Sequence, residues 1–320
     1  MMVLDSYYHL ITKYRSQLFG ISLVWIFFRH TYFYSNFTYG LLDPLVHIGD
    51  CGVDVFMFLS GFGLYFSFTK TPNVRKFYKK RVIRILPVVL ILLTIFAIFG
   101  DIILCKPTST VFSLSYWFFA FYCDYWFIGA ILFLYLCYPI IHRLLLKNTS
   151  KFASIFVVLG VLGVVVIRQL NIEFFGQLQL YFARIPIFVL GSVFAKNTQL
   201  FKKTLIVFLL LICIPGLFIL PKEFQRIIYI PVAISFVIYM PYLLRQLPDY
   251  VNIALGKLGN VSLEFYLLHV FIFSLGFLSY LSELYSQFVA VFISFGVVLL
   301  LSVILNKLVG VLVNQLNNVS

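Results

Sequence analysis

Charged residues are scarce in this sequence. Only 11% of its 320 residues are Asp, Glu, Lys or Arg, and 62% are apolar, whereas soluble domains carry about 25% charged residues. So few charges cannot cover a water-facing surface. One very large soluble core is excluded as well, because apolar runs of about 17 or more residues recur along the whole chain between short polar breaks. The sequence therefore predicts an all-α integral membrane protein.

Several functional signatures are also missing. The five cysteines, at positions 51, 105, 123, 137 and 213, form no CxxC pair and do not alternate with histidine, so we expect neither a metal site nor a redox motif. A disulfide between Cys105 and Cys123 is an open alternative. The chain shows no repeat of 20 to 50 residues and no appended soluble domain, which predicts a single transmembrane domain over residues 1–320. Because the first apolar run contains Arg29 and His30, it is interpreted as a retained helix rather than a cleaved signal peptide.

Ten apolar spans, each about long enough to cross a ~30 Å hydrocarbon core, follow one another along the chain. They lie near residues 16–34, 51–69, 83–100, 117–141, 153–168, 179–195, 204–221, 227–244, 261–280 and 286–306. Alternate breaks then place 18 of the 24 Lys and Arg residues on one side and four on the other. This asymmetry predicts about ten transmembrane helices with both termini cytoplasmic, in the inner or plasma membrane. The net charge of +13 is thus a topology signal, and we expect no nucleic-acid partner.

Ionisable side chains within the spans are candidates for function, because each costs about 2.5 to 3.5 kcal/mol on insertion scales. There are six: Arg29, His30, Asp54, Arg184, Glu264 and His269. In the predicted orientation the first four share one depth in the outer half of the bilayer. His30 is the best candidate for a general base, since imidazole titrates near neutral pH, and Asp54 is predicted to orient it.

Two alternatives without catalysis apply to the arginines in this group. A buried ion pair that only holds helices together explains Arg29 or Arg184 equally well. Arg29 alone also fits a side chain that extends to the outer lipid headgroups.

A basic run occupies residues 74–87 at the predicted inner face. Arg81 and Arg84 are three residues apart, so both guanidinium groups fall on one face of a helix and suit the phosphates of a nucleotide-bearing thioester such as coenzyme A (CoA). The alternative is a juxtamembrane cluster that binds anionic membrane lipid and sets topology.

Four segments resemble the membrane acyltransferase-3 superfamily, the multi-pass proteins that O-acetylate bacterial surface polysaccharides, peptidoglycan and related glycans. The segments are Leu18–Ile21 through Trp25 to Arg29–His30, then Gly52–Phe62, Lys80–Pro87, and Tyr125–Ile128 running to Tyr138–Pro139. Weaker similarities follow at Arg184–Gly191 and Ser262–His269, and the segments occur in family order.

The resemblance implies about ten helices, acyl-CoA bound from the cytoplasm and delivery of the acyl group to an acceptor outside. It also implies a catalytic histidine, carried here by His30, and an Arg-x-x-Arg pair associated with acyl-CoA, carried by Arg81 and Arg84. Acetyl is the expected acyl group by family analogy. Supporting or substrate-binding roles are assigned to Arg29, Arg184, Ser60, Trp126, Glu264 and His269, although Ser60 also fits close helix packing.

One position departs from the family pattern. The family usually has Arg or Lys eleven residues before the histidine, and Phe19 stands there instead. Arg15 is the nearest upstream cation, and whether it substitutes is open.

The sequence thus predicts a membrane-bound O-acyltransferase of the cell envelope. It would move an acyl group from cytoplasmic acyl-CoA to a hydroxyl of an extracytoplasmic glycan or glycolipid, without a metal. The alternative is a transporter or flippase for a glycan or lipid-linked carrier, which would show inverted repeats that are not visible here.

Overall fold

Helices are the regular secondary structure of the part of the chain described by a computed structural model, which covers residues 2–103, 125–170, 176–197 and 222–318 together with positions 216 and 219. The helices that form the bundle are α1 (Met2–Lys13), α2 (Arg15–Ser35), α3 (Asp43–His47), α4 (Cys51–Lys70), α5 (Val74–Ile103), α6 (Trp126–Lys147), α7 (Thr149–Leu170), α8 (Leu178–Lys196), α9 (Lys222–Leu244), α10 (Asp249–Asn260), α11 (Ser262–Ser274), α12 (Phe277–Leu284) and α13 (Gln287–Asn318). No strand occurs within these ranges.

Six of the described stretches are long and apolar enough to cross a membrane. They are Gly40–Lys70, Trp126–Lys147, Thr149–Leu170, Leu178–Lys196, Phe224–Leu244 and Gln287–Gln315. The pair α11 and α12 makes a seventh if it counts as one span. Together with a mean hydropathy of +1.02, these helices confirm the expectation of an all-helical, multi-pass membrane protein.

The predicted spans can be compared with the helices one by one. Eight of the ten coincide with described helices or with the bent α11–α12 pair, and the span 117–141 matches α6 from residue 126 onward, since residues 117–124 lie outside the described part of the chain. The remaining one, 204–221, lies outside the described residues apart from positions 216 and 219, as do Cys105 and Cys123. The count of ten and the cytoplasmic termini therefore stay predictions.

The structure adds two details to the predicted spans. The span at 261–280 is not one straight helix, because it bends by 64° between α11 and α12. Gly276 adopts a φ of +76° at this break, a left-handed conformation that glycine tolerates. The polar break expected at 222–226 instead forms the first turn of α9.

Helix α4 runs through the centre of the bundle, and every residue from Cys51 to Phe62 is buried. It crosses α8 where Gly61 faces the carbonyl of Phe188, and the reciprocal Gly191 faces the carbonyl of Phe58. Because neither glycine has a side chain, the two backbones approach closely. Helix α2 crosses α10 in the same way, through Gly20 and Gly259. These crossings hold α2 and α4, which carry the candidate site residues.

Candidate active site

His30 lies near the end of α2, and its partner is His269 on α11. The Nδ1 atom of His30 is 2.7 Å from Nε2 of His269, and the rings stack with centroids 4.9 Å apart. The structure thus brings together two residues that the sequence had singled out separately, one as the base and one as a supporting residue.

A backbone carbonyl fixes the protonation pattern of this pair. The Nδ1 atom of His269 is 2.9 Å from the carbonyl oxygen of Phe265, which can only accept, so His269 Nδ1 carries the proton and Nε2 keeps its lone pair. The Nδ1–H of His30 then donates to that lone pair. His30 Nε2 is therefore left unprotonated, the form in which an imidazole accepts a proton.

Aromatic rings enclose the partner histidine. His269 is fully buried, and Phe27, Phe265, Tyr266 and Phe273 all lie with ring centroids within 6.1 Å of its own. His30 is only half-buried. The enclosed ring of His269 is thus held in place, while His30 is the more accessible residue of the pair.

Hydrogen bonds also fix the last turns of α2. Thr31 donates to the carbonyl of Phe28, so its Oγ1 accepts from the Tyr39 hydroxyl at 2.5 Å. Burial raises the pKa of Tyr39 to about 12, and the phenol therefore stays protonated as this bond requires. This hydrogen bond holds the loop after α2 against the end of the helix, next to His30.

Asp54 was predicted to orient His30, but the structure places its carboxylate beside Arg184. Its Oδ1 lies 3.5 Å from Nε of Arg184 on α8, and both side chains are buried. The guanidinium of Arg184 also lies over the ring of Trp126, 5.4 Å from the centroid. Shared depth in the membrane does not decide which way a side chain points around its helix, and Asp54 points toward α8. The alternative of an ion pair that joins helices therefore fits Asp54 and Arg184.

Arg29 belongs to another ion pair. Its Nε lies 3.5 Å from Oδ2 of Asp50, and its guanidinium lies over the ring of Tyr32 at 5.6 Å. Since only 14% of the Arg29 side chain is exposed, it is held within the protein.

A cavity of about 550 Å³ extends between α2, α4, α5, α6 and the start of α11. On α2 its lining runs from Arg15 to Ile26, which corresponds to about 16 Å along the helix axis. One end is cationic, with Arg15, Arg81 and Arg84, and the other is apolar, with Ile26 and Tyr266 among its lining residues. His30 is one helical turn beyond Ile26, and His269 is three residues beyond Tyr266. The cavity therefore points from the arginines toward the histidine pair and ends about one turn short of it.

The predicted Arg-x-x-Arg pair faces this cavity, as the helical spacing requires. Arg81 lies between the rings of Phe77 and Tyr135, with distances to the two centroids of 5.4 and 5.5 Å. Arg84 is bound by Glu264, whose Oε1 accepts from Nη1 at 3.0 Å. Glu264 thus supports an arginine of the cavity rather than the histidines.

Asn306 supports the cationic end through Glu264, and Arg15 and Ser60 line the cavity directly. The side chain of Asn306 also donates to Glu264 Oε1 at 3.0 Å. Arg15 lies over the ring of Phe19, 5.2 Å from its centroid, and both line the cavity. Sequence reasoning missed Asn306, although a polar side chain inside the last apolar span is a readable signal. Ser60 lines the cavity and is almost fully buried.

Comparisons with known proteins identify the family. A family model described as an acyltransferase domain, of the acyltransferase-3 type, matches residues 20–307, which is most of the chain and includes both histidines and the Arg-x-x-Arg pair. No curated protein and no solved structure matches significantly, and nothing supports the transporter alternative. The chain therefore belongs to the acyltransferase-3 superfamily and is an acyltransferase built on apolar membrane helices.

Proposed function

We propose that this protein transfers an acyl group, acetyl by family analogy, from cytoplasmic acyl-CoA to a hydroxyl of an extracytoplasmic glycan or glycolipid. The observation that carries the proposal is the alignment of three features: a cationic end, an apolar cavity and a histidine pair one turn beyond it. A CoA thioester has the same order, with phosphates at one end, an extended arm and a reactive carbonyl at the other.

Length supports this alignment. From Arg15 to His30 the helix rises about 22 Å, while an extended pantetheine arm measures about 15 to 20 Å and a guanidinium side chain reaches several Å further. With the phosphates among the arginines, the thioester carbonyl would arrive near His30. The donor must also cross the last helical turn between the end of the cavity and His30. Phe127 and Tyr266, whose ring centroids are 5.1 Å apart, both line the cavity.

His30 acts as the general base in this proposal. Its Nε2 takes the proton of the acceptor hydroxyl while the oxygen attacks the thioester carbonyl and the C–S bond breaks. The proton then passes from the imidazolium to the departing CoA thiolate. His269 stabilises the imidazolium by accepting from its Nδ1–H, the role that a carboxylate has in hydrolase triads. A second route forms an acyl-histidine first, and it predicts a burst of free CoA before any acceptor is added.

The test uses membranes that contain the full chain, radiolabelled acetyl-CoA and envelope glycan of the host as acceptor. We expect His30→Ala to reduce ester-linked label in the glycan by about 10²- to 10⁴-fold with unchanged protein content. The matched control is His9→Ala, since His9 is exposed on α1, and it should retain full transfer. Equal labelling by His30→Ala and His9→Ala would remove His30 from the reaction.

A further inference from the structure

The three arginines of the cavity differ in what compensates their charge. Arg84 has a carboxylate partner, Glu264, and a weaker contact from Nη2 to the Asn260 carbonyl at 3.4 Å. Its side chain is 45% exposed. The charge of Arg84 is therefore already neutralised by Glu264, and its side chain is partly accessible at the surface of the bundle.

Arg15 has no carboxylate partner among the described residues. Its Nη2 donates to the Leu59 carbonyl at 3.1 Å, and its Nε is buried without a hydrogen-bond partner. Gly63 makes space for it, because a Cβ at this position would come within 3 Å of the guanidinium. The absence of a side chain at Gly63 thus leaves room for the Arg15 guanidinium against α4.

Arg81 is uncompensated in the same way. Nη2 has only a long contact to Ser67 Oγ at 3.4 Å, and its Nε is buried without a partner. The Phe77 and Tyr135 rings that flank it neutralise no charge. Among the described residues neither Arg15 nor Arg81 has a counter-ion, and two half-buried guanidinium groups in one cavity are costly unless an anion joins them.

We propose that Arg15 and Arg81, rather than Arg81 and Arg84, form the principal anion-binding pair of the cavity, and that they hold the pyrophosphate of the CoA donor. This inference rests on the proposed function for its choice of ligand. The pyrophosphate joins the pantetheine arm directly, so it enters deeper than the 3′-phosphate on the ribose. The two half-buried arginines suit the pyrophosphate, because the rise of about 22 Å from Arg15 to His30 matches an extended pantetheine arm. Arg84, which Glu264 already neutralises, is left to the 3′-phosphate.

Binding of three ligands without an acyl group to the purified full chain in micelles separates these roles. CoA carries both phosphate groups, dephospho-CoA lacks only the 3′-phosphate, and pantetheine carries none. We expect Arg15→Gln to raise the Kd of CoA and of dephospho-CoA by the same factor, about 10- to 100-fold, in line with a charge-assisted hydrogen bond. The Kd of pantetheine should not change. Lys13→Gln, which removes an exposed cation two residues away, should leave all three values unaltered.

A second variant protects the test against a folding defect. Gly63→Ala keeps Arg15 but displaces its flexible guanidinium end, so we expect a several-fold weaker binding of CoA and dephospho-CoA with normal folding. If Arg15→Gln raised the Kd of all three ligands equally, Arg15 would be a structural residue. A loss confined to CoA would assign it to the 3′-phosphate, and no measurable CoA binding by the wild type would overturn the inference. CoA binding without acyl transfer would instead refute the proposed function alone.

Discussion

His30 and His269 are 239 residues apart in the chain and share a hydrogen bond of 2.7 Å. The carbonyl of Phe265 sets the tautomer of His269, and His269 in turn sets that of His30. The basicity of His30 Nε2 on α2 thus depends on a backbone oxygen of α11. A substitution of His269 should therefore lower kcat for acyl transfer and leave the affinity for acyl-CoA unchanged.

His269→Leu should therefore lower kcat for acyl transfer by about 100-fold while the KM for acetyl-CoA stays within twofold. The imidazolium of His30 would lose its acceptor, a loss comparable to that of a general-base partner. His269→Gln places a carbonyl oxygen near the former Nε2 and should retain more of the activity than His269→Leu. Steady-state kinetics on folded protein measures both, and a wild-type kcat in His269→Leu would contradict the role of the pair.

Helical spacing explains what could be read from the sequence of this site. Arg81 and Arg84 face one cavity because residues three apart share a helix face, and His30 falls near the end of α2 because the apolar run ends there. The cost of placing a charge in the membrane was enough to mark all six ionisable candidates within the spans. These properties depend only on residues close together in the chain, and they can therefore be predicted from a single sequence.

The partners could not be read in the same way. The sequence predicted Asp54 as the residue that orients His30 and gave His269 only a supporting role, but the choice depends on the rotation of α4 and α11 about their axes. That rotation is set by close backbone crossings such as Gly61 against Phe188, which no spacing rule gives. The bend at Gly276 was missed for a related reason, since an apolar run looks the same whether straight or broken.

Arg84→Met should destabilise the bundle more than its exposure suggests. It leaves the carboxylate of Glu264, which is 0% exposed, without its cation, and removing one partner of a buried pair costs about 3 to 5 kcal/mol. Because 45% of Arg84 is exposed, solvent screening places the effect below that range. The double variant Arg84→Met with Glu264→Gln should recover most of the loss. Thermal unfolding in micelles measures this, and equal melting temperatures for single and double variants would show that Glu264 does not depend on Arg84.

Asp54→Leu should likewise lower the free energy of unfolding by about 3 to 5 kcal/mol, since it strands Arg184 in the core. Combining it with Arg184→Met should restore stability. The milder Asp54→Asn separates this role from the one predicted by sequence: an Asp54 that oriented His30 would shift the pH dependence of kcat when neutralised. We expect no such shift in Asp54→Asn protein that remains folded. A shifted pH dependence of kcat would show that Asp54 does orient His30.

Gly61→Ala tests the crossing that fixes the rotation of α4. The added Cβ would overlap the Phe188 carbonyl, which belongs to rigid backbone and accepts no easy shift. Overpacking of this kind costs about 1 to 3 kcal/mol, and we expect a corresponding fall in melting temperature together with a lower rate of acyl transfer, because α4 also lines the cavity. Gly296→Ala is the matched control, since a Cβ there meets nothing within 4 Å and helix propensity favours alanine by about 0.5 to 1 kcal/mol. If both substitutions changed stability alike, the α4–α8 contact would not be the constraint that positions Asp54 against Arg184 and directs it away from His30.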